Sequence, residues 1–114
     1  MEKLLFKDIT PYHYRSLSHI MLFLLAITMR ERVFSAMVKD MGTVLDLSIS
    51  TIKRNLKILI DEGLIIRIKR STYDTTPLHE AYKEGRIKLT LTPRNYLPLV
   101  KELKELQGHW YGHS

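Results

Sequence analysis

The sequence predicts a mainly helical α+β domain in which three helices form a core, a β-hairpin follows, and a further helix ends the fold. Two observations indicate this class: apolar residues recur at helical spacing in the first half of the chain, and two later segments alternate or are β-branched as strands are. With 114 residues, the chain fits one domain able to bury its own core. We therefore predict a single domain over residues 1–114, with its core at about 16–106 and a tail at 107–114.

The first predicted helix spans about Leu17 to Arg30, and Ser16 is placed to cap it. It is apolar on nearly all sides from Ile20 to Met29, which is typical of a helix buried on more than one face. This pattern indicates a central helix or one shared with a second subunit. Residues 1–15 indicate no clear element, because Pro11 interrupts a short apolar run.

The second predicted helix, Ala36–Leu45, follows a short extended link at 33–34, and Ser35 is its expected cap. Gly42 lies inside this helix, where glycine costs about 1 kcal/mol relative to alanine. A glycine at this position allows the next helix to cross closely. We therefore expect a tight turn at 46–48, with its first residue, an aspartate, in the left-handed conformation.

The third predicted helix runs from about Ile49 to Glu62, between a cap at Ser48 and a left-handed end at Gly63. On a helical wheel its residues separate into two arcs. The arc expected to face the core consists of Ile49, Ile52, Leu56, Leu59 and Ile60. The arc expected to face solvent or a ligand consists of Ser50, Lys53, Arg54, Lys57 and Asp61.

Two strand-like segments, Leu64–Lys69 and Arg86–Thr92, predict a hairpin over 64–92 with a long polar tip at 70–85 that carries Tyr73. The positions expected to pack are Ile66, Ile68, Ile87, Leu89 and Leu91. Three helices followed by such a hairpin form the layout of a winged helix-turn-helix domain, in which the hairpin is the wing.

The last helix has an ambiguous start. Thr92-Pro93 is typical of a helix beginning, but Pro98 is unfavourable in a helix interior. The helix therefore either begins near Leu97 or is kinked there. Its expected apolar face consists of Tyr96, Val100, Leu103 and Leu106.

The segment from Leu47 to Ile65 resembles the recognition helix and first wing strand of MarR- and ArsR-like winged-helix transcriptional regulators. The shared features are a leucine-serine turn, a Ser/Thr-Ile start, a leucine midway and the exit Glu62-Gly63-Leu64-Ile65. Residues 89–94, with the sequence LTLTPR, are similar to the second wing strand and helix entry of the same family. The resemblance covers about 34–106 and departs from the family at Asp46, where glycine is common.

This resemblance implies that helix 49–62 enters the major groove of double-stranded DNA and that hairpin 64–92 contacts its backbone or minor groove. A net charge of +6 also favours an anionic partner. We expect Arg54 to contact guanine, and Lys53 and Lys57 to contact phosphates. The full set of candidate DNA-binding residues is Ser48, Ser50, Thr51, Lys53, Arg54, Lys57, Arg67, Lys69, Arg70 and Arg86.

The resemblance further implies a homodimeric, sequence-specific regulator that pairs through its terminal helices. The candidate dimerisation residues are Leu22, Leu25, Tyr96, Val100 and Leu103. Two alternatives remain open at this point. One is a winged-helix interaction module of a larger assembly, whose basic face meets an acidic protein or RNA, and the other is a non-specific or replication-associated DNA-binding protein.

Several classes of function are disfavoured by what the sequence lacks. It has no cysteine, which excludes disulfides, thiolate metal sites and thiol sensing. No signal peptide is visible and no apolar run approaches the roughly 20 residues of a membrane span, so we expect a cytoplasmic protein. The histidines lack metal-ligand spacing, and no phosphate loop or nucleophile motif is present. We therefore expect no enzyme activity, cofactor or metal, and leave a small-molecule effector open.

Overall fold

The structure, a computed structural model, describes the backbone of residues 11–110 and the side chains of 14–107. The described residues are mainly helical with a small antiparallel sheet, which confirms the predicted α+β class. Expectations for residues 1–10 and 111–114 lie outside them. In chain order the elements are α1 (Pro11–Thr28), β1 (Val33–Ser35), α2 (Val38–Leu45), α3 (Ile49–Asp61), β2 (Ile66–Lys69), β3 (Thr72–Asp74), α4 (Thr76–Lys83), a 3-10 turn (Pro93–Tyr96) and α5 (Leu97–Trp110).

The centre of the core is α1. Every residue from Ile20 to Thr28 is buried, because α3, α4, α5 and the 3-10 turn pack around this helix. The helix begins earlier than predicted, at Pro11, and ends slightly earlier, at Thr28. A proline is tolerated there because a backbone N–H in the first turn of a helix has no acceptor within the helix.

The start of α2 differs from the prediction. The helix begins at Val38, and Ser35 is not its cap. Ser35 belongs to β1, where its Oγ lies 2.8 Å from Oγ1 of Thr72 in β3. Beside this contact, the backbone N–H of Ala36 donates to the carbonyl of Ser71 at 2.9 Å. The chain entering α2 is therefore held by the sheet rather than by a side-chain cap.

The turn between α2 and α3 confirms two predictions. Asp46 has a left-handed backbone with φ of 57°, and the backbone N–H of Leu47 donates to the carbonyl of Gly42 at 3.0 Å. A Cβ atom at Gly42 would lie 2.7 Å from the carbonyl oxygen of Leu47 and 3.9 Å from Cγ1 of Ile52. Position 42 thus requires a residue without a side chain, because the nearest atom to a Cβ there would be a backbone atom of the turn.

The two ends of α3 also follow the prediction. The Ser48 hydroxyl accepts a hydrogen bond from the backbone N–H of Thr51 at 3.2 Å, and Gly63 has φ of 72°. Its buried face contains Ile52, Leu56 and Leu59 as expected. Two positions differ: Ile49 is 48% exposed, and Asn55, which was not assigned, is buried. The Nδ2 of Asn55 donates to Oγ of Ser16 in α1 at 3.0 Å, so a polar contact helps to join α3 to the central helix.

The sheet has the strand order β1-β3-β2, with both pairs antiparallel. Phe34 and Arg67 both pair with Tyr73, and the rings of Phe34 and Tyr73 pack with their centroids 5.8 Å apart. Tyr73, which was predicted to lie in the polar tip, is therefore a buried residue of the central strand.

The predicted hairpin over 64–92 is wrong in its second half. β2 turns back at Arg70 and Ser71 into β3, and α4 occupies much of the predicted polar tip. Residues 86–92 form no strand. The reason is that Thr72–Asp74 already supplies the pairing partner of β2, and Pro77 is compatible with the first turn of a helix.

Several predicted packed positions change with this correction. β2 lies at the edge of the sheet, and its residues Ile66 and Ile68 are 52% and 54% exposed. Leu91 is also exposed, whereas Ile87 is buried and Leu89 is half-buried, as expected.

The last helix takes the first of the two predicted forms. A 3-10 turn over Pro93–Tyr96 leads into α5, which begins at Leu97 with Pro98 in its first turn. Of its predicted apolar face, Tyr96, Val100 and Leu103 are buried and Leu106 is half-buried. The helix continues to Trp110, so the first residues of the predicted tail are helical.

Candidate nucleic-acid interface

The outward face of α3 carries the residues predicted to contact DNA. The side chains of Ser50, Lys53, Arg54 and Lys57 are exposed, and Thr51 is half-buried. Ser48 is exposed at the start of the helix, although its hydroxyl already caps the backbone. The backbone N–H groups of the first turn of α3 that the cap does not bind favour an anion at this end.

A groove separates α3 from the β2–β3 hairpin, and we call it the hairpin groove. Its volume is about 730 Å³, and the start of α2 forms its third wall. The basic residues that line it are Lys39, Lys53, Lys57, Arg67 and Arg70. None of the described lining residues is acidic, and apolar side chains such as Leu56 and Tyr73 form the rest of the lining. The hairpin groove is therefore suited to a polyanion.

One acidic residue lies close to this set. Asp61 accepts a hydrogen bond from Nζ of Lys57 at 3.0 Å, one helical turn away. The two side chains are 76% and 61% exposed, and ion pairs with such exposure contribute little and are screened by salt. Lys57 can therefore exchange this carboxylate for a phosphate at small cost.

The structure does not bring all the predicted contacts together. Lys69 is exposed in β2 but does not line the hairpin groove. Arg86 lies beyond α4 rather than in the hairpin, and its Nε donates to Oε1 of Glu84 at 2.9 Å. Arg86 was predicted to lie in the second wing strand, and residues 86–92 form no strand, so it leaves the candidate interface.

Lys39 belongs to the hairpin groove, but the sequence did not point to it. It is exposed in the first turn of α2. The sheet brings that turn beside the hairpin, and this is why Lys39 lines the groove. The signal in the sequence that could have identified Lys39 was a lysine near the start of the first helix of the pair.

The predicted dimerisation residues all lie inside the chain's own core. Leu22, Leu25, Tyr96, Val100 and Leu103 are each at most 8% exposed. The excess apolar surface of α1 that suggested a second subunit is instead covered by α3, α4 and α5 of the same chain.

No family model matches the chain, and neither the curated proteins nor the solved structures include a match. Within residues 11–110, no helix is both long enough and apolar enough to cross a membrane. In the same part of the chain, no group of three or more histidine, cysteine or acidic side chains could hold a metal ion.

Proposed function

We propose that this protein is a winged helix-turn-helix protein that binds double-stranded DNA, with α3 in the major groove and the β2–β3 hairpin as a short wing. The observation that carries the proposal is the hairpin groove, in which five basic side chains from three elements meet and none of the described lining residues is acidic. Such a concentration of positive charge beside an exposed helix is the electrostatic footprint of nucleic-acid binding.

The order of the elements supports the same proposal. A helix pair joined by a tight turn, α2 and α3, is followed directly by a hairpin, and β1 extends the sheet from before the pair. The major groove of B-DNA admits one α-helix, and the second helix of such a pair enters it with its N-terminal residues nearest the bases. Ser50 and Arg54 would then reach base edges, while Lys53, Lys57 and Arg67 would neutralise phosphates.

The finer proposal is a homodimeric, sequence-specific transcriptional regulator. A two-fold dimer would read half-sites about 34 Å apart along the duplex. Because the five residues first expected at the dimer contact are buried in each chain, a second copy would have to use other residues. Sedimentation at low micromolar concentration, with and without duplex, tests this part separately.

DNA binding itself is tested by replacing both Arg54 and Lys57 with alanine and titrating labelled duplex by fluorescence anisotropy. We expect affinity to fall at least about tenfold, and the dependence of binding on salt to become less steep by about 0.9 per lost phosphate contact. The matched control replaces Arg30 and Lys83, two exposed cations away from α3, with alanine. Both double variants should keep the melting temperature of the wild type.

Equal loss of affinity in both double variants would mean that only net charge matters and would remove α3 from the mechanism. Wild-type protein that shows no salt-dependent affinity for any duplex would contradict the proposal as a whole. It would favour a winged-helix interaction module with a protein or RNA partner instead.

A further inference from the structure

A second groove lies on the other flank of α3, and we call it the α1 crevice. Its volume is about 360 Å³, and it separates α3 from α1 and from the turn at 45–47. The residues of α1 and α3 that line it are Arg15, Ser16, His19, Thr51 and Arg54. The exposed recognition face of α3 is thus bordered by the hairpin groove on one side and by the α1 crevice on the other.

Successive residues of α3 point to the two sides. Residues in an α-helix are about 100° apart, so Lys53 and Arg54 leave the axis on opposite sides of Ser50, which lies one turn earlier. Lys53 lines the hairpin groove and Arg54 lines the α1 crevice. Each flank of the helix therefore has its own cation.

DNA has the same two-sided arrangement around a bound helix. A helix in the major groove lies between two sugar-phosphate backbones, one along each edge of the groove. We propose that the α1 crevice binds a phosphate of the backbone opposite the hairpin, and that α1 contributes to DNA binding through Arg15. This inference rests on the proposed function, because it assumes that α3 enters the major groove.

The side chains in the crevice fit a phosphate. Arg15 is exposed and lines the crevice, and it is in none of the ion pairs among the described residues. Its guanidinium group can bind phosphate through two hydrogen bonds. The half-buried hydroxyl of Thr51 adds a donor beside it. His19 also lines the crevice, and its Nδ1 forms a hydrogen bond with the hydroxyl of Tyr96.

One carboxylate opposes the bound anion. Asp46, at the left-handed position of the turn, is exposed and lines the same crevice. It lowers the affinity of the site for phosphate without closing it, because Arg15 and Arg54 together outweigh its charge. Its presence also provides a test of opposite sign, since its removal should strengthen binding.

The first variant is Arg15→Ala, measured by fluorescence anisotropy on several duplex sequences at about 50 to 200 mM NaCl. We expect a loss of affinity of about tenfold that is similar for all sequences, because a phosphate contact carries no sequence information. The slope of log affinity against log salt should become less steep by about 0.9. The matched control is Arg30→Ala, an exposed arginine just beyond the other end of α1, which should keep the wild-type affinity and slope.

The second variant is Asp46→Asn, which removes the opposing charge and keeps a residue that tolerates φ above zero. We expect affinity for duplex DNA to rise about threefold, the scale of a screened surface charge. Its control is Glu80→Gln, which removes an exposed carboxylate from α4 and should leave affinity unchanged. A purely structural role for the crevice predicts no gain from Asp46→Asn.

Each outcome decides one question. If wild-type protein shows no salt-dependent affinity for duplex DNA, the proposed function and this inference both fail. If the wild type binds but Arg15→Ala matches Arg30→Ala and Asp46→Asn matches Glu80→Gln, the α1 crevice binds no phosphate and the proposed function stands. Should Arg15→Ala lower the melting temperature, the Asp46→Asn result alone still decides the inference.

Discussion

The close approach at Gly42 predicts that Gly42→Ala lowers the free energy of unfolding, whereas a glycine-to-alanine change inside a helix usually raises it. In an open helix position, Gly→Ala stabilises by about 1 kcal/mol, because alanine is the better helix former. At Gly42 the new Cβ atom would lie 2.7 Å from the backbone oxygen of Leu47. That oxygen would have to retreat by about 0.7 Å to reach the 3.4 Å at which ordinary contact begins.

The turn has little freedom to move by that amount. Asp46 is already in a left-handed conformation, and the N–H of Leu47 is bound to the carbonyl of Gly42 itself. Overpacking costs about 1–3 kcal/mol, and a backbone neighbour places this case near the upper end. After subtracting the helix-propensity gain, we expect Gly42→Ala to lower the free energy of unfolding by about 2 kcal/mol.

The assay is urea unfolding followed by circular dichroism, with a thermal melt as a second measurement. A loss of about 2 kcal/mol corresponds to a melting temperature lower by roughly 8 °C for a domain near this size. Thr43→Ala is the control, since the adjacent side chain is exposed and its change should stay within about 0.5 kcal/mol. A Gly42→Ala variant that is as stable as the wild type or more stable would refute the close approach.

Two further predictions concern stability. Ser48→Ala should lower the free energy of unfolding by about 1 kcal/mol by urea denaturation, because it removes the cap of α3, whereas Ser48→Asp should preserve it; equal losses in both would exclude capping. Burial, and next the positive charge of Arg32, lower the pKa of His79 below its ordinary 6.5. The unfolded chain therefore binds this proton more readily, so protonation favours unfolding and stability should decline as the pH falls through about 6.5. A His79→Gln variant should show a smaller decline in melting temperature between about pH 7.5 and 5.5, and an identical decline would contradict the assignment.

The features that could be predicted from sequence were those set by local stereochemistry. The cap at Ser48, the left-handed Asp46 and the side-chain-free position 42 each follow from what one residue type can do in a turn or at a helix end. The exposed arc of α3 was predictable for a similar reason, because helical periodicity separates its faces over a long, uninterrupted segment.

The hairpin could not be predicted in the same way, because strand partners are chosen by non-local pairing. Residues 86–92 alternate as a strand does, yet β3 takes the place beside β2 that was predicted for them, and they form no strand. β1 itself, only three residues long, gives too short a pattern to identify. The exposure of Ile66 and Ile68 follows from the edge position of β2, which the alternating pattern alone does not reveal.

The candidate site was predictable only in part, for the same reason. Lys53, Arg54 and Lys57 share one helix, whereas Lys39 and Arg15 come from other elements and join the site through packing. Conversely, Arg86 was assigned to the interface only because a strand was expected there. Membership of a site built from several elements depends on the topology, which periodicity does not determine.

The contacts between β1 and the hairpin turn also affect the rigidity of the hairpin groove. Ser35 and Ala36, which lead into α2, are hydrogen-bonded to Thr72 and Ser71 at the far end of the hairpin. Two of the three walls of the hairpin groove, the start of α2 and the hairpin, therefore share an anchor that fixes their spacing. We therefore expect the binding of an anion in this groove to require little further ordering of the chain.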